Sequence, residues 1–434
     1  AVIERAKAQK EKAICFVTGV PGAGKTLAGL NITTNRMRSA EDEHAVFLSG
    51  NGPLVDVLRE ALAKDEAVRK GLTIGEARRN AKTFIQNIHH FRDDNLNVIE
   101  APVEKVVVFD EAQRAWDKHH TAKFMQQKRD QPGFDQSEPE FLLEVMDRHD
   151  DWCVVVALIG GGQEINTGEA GLPEWFSALR HRFSHWRVCY SDEISGADYT
   201  QGKTLSEHVE GLVTEASNSL HLGVSVRSFR AEKLSAFVTA LIDNDIMQAA
   251  ALYGAIKSDY PIVFTRDLNK ARVWLKQQAR GGELYGLIAS SGAIRLKPEG
   301  LNVKSTISPA QWFLNGDQDV RGCQYLEDVA TEFDVQGLEL DWTAVCWDAD
   351  FRYQYDGAGQ GAWSYNAFKG TKWQKVSKLA RQRYLANAYR VLLTRARQGM
   401  VIYVPRGCEH DTTRPALYYN GIAKVLAACG LASI

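Results

Sequence analysis

The residues best suited to chemistry stand near the start of the chain. Gly19, Gly22 and Gly24 punctuate the run GVPGAGKT at residues 19–26, which ends on Lys25 and Thr26. This is the spacing GxxxxGK[ST]. Glycines let successive backbone N–H groups turn inward around a phosphate, and the start of a following helix adds partial positive charge. Lys25 would reach the β- and γ-phosphates of ATP, and the Thr26 hydroxyl would serve as a ligand to Mg²⁺. A chance match in a chain this long is on the order of one or two per cent. Such a loop needs a metal-binding acid on a neighbouring strand. Asp110 and Glu111 follow the apolar run VVVF at 106–109. Asp110 would hold Mg²⁺ through water, and Glu111 would orient and deprotonate the attacking water.

A different kind of chemistry is suggested by residues 357–408, where ten Lys or Arg occur without one Asp or Glu. Aromatics are interleaved, among them Trp363, Trp373 and Tyr384. Cations of this kind meet phosphates and aromatics stack on bases, the two components of single-strand binding. Lys372, Lys375, Lys378 and Arg381 are spaced for a slowly drifting helical face, with Trp373 beside them. The bland alternative is a solvated helix with buried aromatics. The seven cysteines are scattered and none is spaced CxxC, which speaks against a disulfide framework and a zinc site and for a reducing, cytoplasmic setting.

These groups need a scaffold to hold them. AICFVT at 13–18 reads as a strand entering the phosphate loop, and LAGLNITTNRMR at 27–38 as the helix leaving it. WCVVVALI at 152–159, PIVF at 261–264, YGLIAS at 285–290, TAVCW at 343–347 and VIYV at 401–404 read as further buried strands. Strands alternating with helical patterns predict α/β sheets with right-handed crossovers. Residues 191–221 are polar, carry no strand run and read as a connection. The expected division is a first lobe over 1–222 and a second over 223–434.

With these motifs in order the chain resembles superfamily 1 helicases, and more narrowly the Schlafen group III-type DNA/RNA helicase domain, over about residues 13–405. The resemblance implies two RecA-like phosphate-loop lobes with ATP in the cleft between them. AVFLSGNGPLVDVL at 45–58 is similar to the second helicase motif. NIHHF at 87–91 resembles the T-x-H-x-F element that touches single strands, with Asn87 where the family has Thr, and makes His89 the candidate contact; ordinary turn histidines are the alternative. GGGQEI at 160–165 looks like the sensor motif and casts Gln163 against the γ-phosphate. LGVSVRSF at 222–229 is similar to the NYRS element and nominates Arg227 for the ATP site, with Arg230 as rival. FDVQGLEL at 333–340 resembles the Q/K-G-x-E motif, laying Gly337 and Glu339 against nucleotide and strand. NAYRVLLTRAR at 387–397 matches the T-R-A element, so Arg395 fits an arginine finger, with Arg397 as runner-up.

Composition sets the outer limits. The net charge of −2, from 52 Lys+Arg and 54 Asp+Glu, excludes a histone-like polycation while leaving room for a local basic patch. No apolar run approaches a membrane span. The chain opens on Ala1, which suggests a piece of a longer protein with an N-terminal nuclease or effector domain, or a partner protein. The implied function is an ATP-dependent translocase or helicase on single-stranded DNA or RNA, in a nuclease or defence setting. The alternative is a regulatory ATPase switch acting on an attached effector. A small-molecule phosphoryl transferase would not need Gln163, Arg227, Glu339 and Arg395.

Overall fold

The computed structural model describes residues 1–20, 23–39, 44–131, 133–160, 171–195, 204–223, 228–356 and 359–434. Two compact units emerge: residues 1–55 with 62–228, and residues 56–61 with 229–434. Each is an α/β unit built on a parallel sheet, in keeping with the expected fold class.

In the first unit the strands are β1 (Lys12–Gly19), β2 (His44–Ser49), β3 (Ile85–Asn87), β4 (Glu104–Asp110), β5 (Cys153–Leu158), β6 (Arg187–Tyr190), β7 (Val213–Ala216) and β8 (His221–Leu222). Their order is β3-β2-β4-β5-β1-β6-β7, with β8 pairing the end of β1, and every described pairing is parallel. Every residue of β5 is buried, as is the VVVF run of β4, because helices cover both faces of the sheet. The carboxyl ends of β1, β5 and β4 lie level, with Val17 opposite Leu158 and Ala157 opposite Phe109. Open parallel sheets bind ligands at that edge.

Residues 191–221 are not a bare connection. They contribute the helix Leu205–Val209 and two strands, β7 on β6 and β8 on β1. β7 is an edge strand whose residues are mostly exposed, so it needed no apolar run and gave no signal.

The second unit has β9 (Ile262–Thr265), β10 (Tyr285–Ala289), β11 (Val329–Thr331), β12 (Leu340–Cys346), β13 (Phe351–Tyr355), β14 (Gly361–Lys369), β15 (Lys372–Lys375), β16 (Ala396–Tyr403) and β17 (Ala432–Ser433). The parallel sheet runs β11-β10-β12-β16-β9-β17, while β13-β14-β15 form a separate antiparallel sheet. The four apolar runs read from sequence all fall on β9, β10, β12 and β16. The antiparallel sheet was not anticipated.

Candidate active site and nucleic-acid contacts

The phosphate loop leaves β1 at Gly19, and the helix Lys25–Ser39 begins directly on the lysine. Gly24 has φ +84°, a conformation open to glycine and strained for other residues. The Lys25 ammonium donates to the carbonyls of Gly19 at 2.7 Å and Val20 at 3.3 Å, so it is held inside the loop. Burial lowers the Lys25 pKa, opposed by the charges of Glu111 and Asp110. Gly22 lies outside the described residues.

Thr26 and Asp110, 84 positions apart in sequence, are brought together: the Thr26 hydroxyl donates to Asp110 Oδ2 at 3.0 Å. Asp110 ends β4 and is buried. Burial, followed by the charge of Glu111, pushes its pKa up to about 7. A hydroxyl and a buried carboxylate are hard oxygen donors of the kind Mg²⁺ takes, and a cation there would favour the ionised acid. The residues present therefore fit a magnesium ion.

Glu111 stands next to Asp110 with φ 55°, in the left-handed region that few side chains adopt. Its carboxylate is fixed from two sides. Gln113 Nε2 donates to Glu111 Oε2 at 2.6 Å, and Arg114 Nε lies 3.2 Å from the same oxygen. The buried Gln113 also accepts from the backbone N–H of Gly160 at 3.0 Å, tying the acidic turn to the end of β5. Trp175 Nε1 adds a bond to the carbonyl of Ala112 at 2.9 Å. Gln113 and Arg114 were given no role on sequence grounds. The available signal was an amide and a guanidinium two and three residues after the acid, a reach that a tight turn supplies. Gln163 and Arg227 lie outside the described residues.

In the second unit the two late motifs meet at the amino ends of adjacent strands, with Leu340 paired to Ala396. The N–H of Leu340 donates to the carbonyl of Arg395 at 3.1 Å, and Arg395 Nε donates to the carbonyl of Val391 at 3.2 Å. Arg397 Nε pairs with Glu339 Oε2 at 3.0 Å. Gly337, with φ 72°, ends the turn before Glu339 and takes a conformation that suits glycine. The Arg397 side chain is thus accounted for by an ion pair with one of the candidate residues.

The helical face expected for the lysines is not there. Lys372 and Lys375 belong to β15, and Lys378 caps the helix Leu379–Leu393. Side chains alternate along a strand, so positions three apart project from opposite faces. All three lysines are exposed. Trp373 is built into the fold: its Nε1 donates to the carbonyl of Thr413 at 2.8 Å, and its ring meets Phe368 edge-on at 5.2 Å. Tyr389 is fully buried and bonds Asp350 at 2.6 Å, and Trp363 is buried as well. Trp363 and Tyr389 are therefore core residues, while Trp373 keeps a partly exposed ring.

His89 sits in the first turn of the helix Ile88–Asn95. Asn87 is the N-cap, its Oδ1 accepting from the His89 N–H at 2.9 Å. Asn and Thr both cap well, so the departure from the family pattern keeps the local structure. The His89 ring is partly buried against Trp116 and Phe124, and burial lowers its pKa to about 4, leaving it neutral.

No helix among the described residues is long and apolar enough to cross a membrane. No curated protein matches the chain. Among solved structures the chain is similar to the Pyrococcus furiosus Hef helicase domain, at 13% identity and a TM-score of 0.29, over 93% of this chain and 95% of that one. A likeness that loose transfers no residue roles. Residues 12–406 match the family model for the Schlafen group 3, DNA/RNA helicase domain, and the chain belongs to that family.

Proposed function

We propose that this domain is an ATP-dependent motor that couples hydrolysis of Mg²⁺-ATP to movement along single-stranded DNA or RNA, serving a nuclease or effector domain in a defence setting. Membership of a DNA/RNA helicase family gives the coarse class, a nucleic-acid-directed ATPase. The observation that supports the hydrolytic part of this reading is the convergence of Thr26 and Asp110 at 3.0 Å, with Glu111 fixed beside them by Gln113 and Arg114.

In this reading Gly19, Gly22, Gly24 and Lys25 cradle the phosphates, and Thr26 and Asp110 hold the metal. Bound Mg²⁺ would supply charge neutralisation of the phosphate oxygens. Glu111 takes the proton of the attacking water, and Gln113 and Arg114 keep its carboxylate aimed. Arg395 is the arginine finger, Arg227 and Gln163 assist at the γ-phosphate, and Gly337 with Glu339 lies against the nucleotide. His89, Lys372, Lys375 and Lys378 are the proposed strand contacts. Trp373, with a half-exposed ring on the same hairpin, is proposed with them, its indole N–H held by the Thr413 carbonyl.

Release of streptavidin from either end of a biotinylated single strand tests the motor directly. ATP-driven release from one end only is the expected result. Strand-stimulated ATPase without release from either end would leave a switch in place of a motor.

A further inference from the structure

Trp116, Phe124 and His89 form a trio of partly exposed rings in the first unit. Centroids lie 4.9 Å apart for His89 and Trp116, 5.2 Å for Trp116 and Phe124, and 5.9 Å for His89 and Phe124. None of the three is buried in the core beneath the sheet. Two arginines lie over one of these rings, Phe124, and both pair with Asp93. The Arg129 guanidinium lies 5.3 Å from the Phe124 centroid and that of Arg92 lies 4.8 Å away. The helix Lys118–Arg129, KHHTAKFMQQKR, carries no acid, and Lys123 and Lys128 on it are exposed. Half-exposed rings beside cations suit the bases and phosphates of a single strand.

Beneath the rings lies a buried polar network with open valences. Glu138 is 3% exposed and Arg92 is 1% exposed. Glu138 Oε1, Arg92 Nη1 and His89 Nδ1 are buried and make no hydrogen bond. They face one another, with Glu138 Oε1 at 3.7 Å from His89 Nδ1 and 3.9 Å from Arg92 Nη1. A shift of about 1 Å in the His89 ring would close the first gap to hydrogen-bond length. Glu138 also grips Trp116 twice through the backbone. Its Oε2 accepts from the Trp116 N–H at 3.1 Å, and its own N–H donates to the Trp116 carbonyl at 3.0 Å. From Trp116 back to Glu111 the chain is a tight turn, closed by Arg114 N–H to the Glu111 carbonyl at 2.8 Å and Ala115 N–H to the Ala112 carbonyl at 3.3 Å.

We infer that Trp116, with Phe124 and His89, is a base-stacking surface for the single strand, and that Trp116 is a positioning residue through which an occupied strand site sets the aim of Glu111. The inference rests on the proposed function and adds a route from track to catalytic acid. Phe124 touches the same bases but has no short covalent path to the acid. Loss of Phe124 therefore weakens binding, whereas loss of Trp116 weakens binding and coupling together.

The test titrates single-stranded DNA and RNA into full-length wild type, Trp116→Ala, Trp116→Phe and Phe124→Ala while ATP turnover is followed. Both alanine variants should raise the half-saturating strand concentration by about tenfold, the scale of one lost stacking contact. At saturating strand Phe124→Ala should recover wild-type turnover, Trp116→Ala should stay at least about fivefold lower, and Trp116→Phe should be largely rescued. Recovery of wild-type turnover by Trp116→Ala at saturating strand overturns the inference. Wild type that no strand stimulates would remove the proposed function itself. A second measurement needs only wild type: a bromodeoxyuridine-substituted oligonucleotide is photocrosslinked and the tryptic peptides are mapped. Label on peptides 115–118 or 124–128 supports the surface, and label confined to residues 229–434 overturns it.

Discussion

Replacing Gln113 by Ala removes two hydrogen bonds at once from the turn that carries Glu111. One runs from Gln113 Nε2 to the Glu111 carboxylate at 2.6 Å, and the other from Gly160 N–H to Gln113 Oε1 at 3.0 Å. A bond to a charged group is worth ~1.5–3 kcal/mol, and a donor left unpaired costs ~1–3 kcal/mol. The Glu111 side chain is 31% exposed and Gly160 is half-buried, so water replaces part of each loss and the lower ends apply. The sum is about 2–3 kcal/mol, or a fall of roughly 5–10 °C in the melting temperature of a unit this size. Glu111 would keep only Arg114 as anchor, and a base that wanders by about an ångström loses ~10- to 100-fold in the chemical step. Differential scanning fluorimetry reads the first effect and single-turnover ATP hydrolysis the second. A normal melting temperature together with a normal single-turnover rate would refute the role given to Gln113. A lowered melting temperature with a normal rate would reduce it to a structural brace.

Three further outcomes are expected. Lys25→Ala should abolish turnover, and Glu111→Gln should bind ATP normally yet hydrolyse it at least ~10²-fold more slowly, checked by nucleotide titration beside steady-state kinetics. Arg395→Ala should cost ~10³-fold or more in turnover, whereas Arg397→Ala removes a partly exposed pair with Glu339 worth ~1 kcal/mol at most; the reverse ranking would move the finger to Arg397. Trp373→Ala should lower the stability without any ligand by ~1–3 kcal/mol, since its half-buried indole is packed on Phe368 and bonded to Thr413, read as a lower melting temperature; an unchanged melting curve would remove its structural part.

The parts legible in sequence were those with short-range signatures. The phosphate loop, the apolar runs of β4, β5, β12 and β16, and the acids after β4 each announce themselves within a few residues, because a buried parallel strand must be apolar throughout. What could not be read required knowing where distant chain segments meet. Gln113 gains meaning only because β5 ends beside it, and Glu138 only because it closes on Trp116 across 22 positions. The edge strand β7 lacked an apolar run because most of its residues are exposed, on both faces. The lysines at 372, 375 and 378 misled because spacing alone does not separate a helix face from a hairpin. Gly370, with φ 61°, sits between β14 and β15, and that turn decides the case for the hairpin. The same hairpin puts Phe368 opposite Trp373, so that one edge of the indole is packed while the ring stays half-exposed.

The central claim is that hydrolysis at Lys25, Thr26, Asp110 and Glu111 is driven by a bound single strand. Steady-state ATP turnover, measured with Mg²⁺ and with or without single-stranded DNA or RNA, tests it most directly, with Glu111→Gln run in parallel. The expected result is slow turnover alone, a rise of at least about tenfold with one of the strands, and no rise in Glu111→Gln. Turnover indifferent to either nucleic acid, or equally fast in Glu111→Gln, would contradict it.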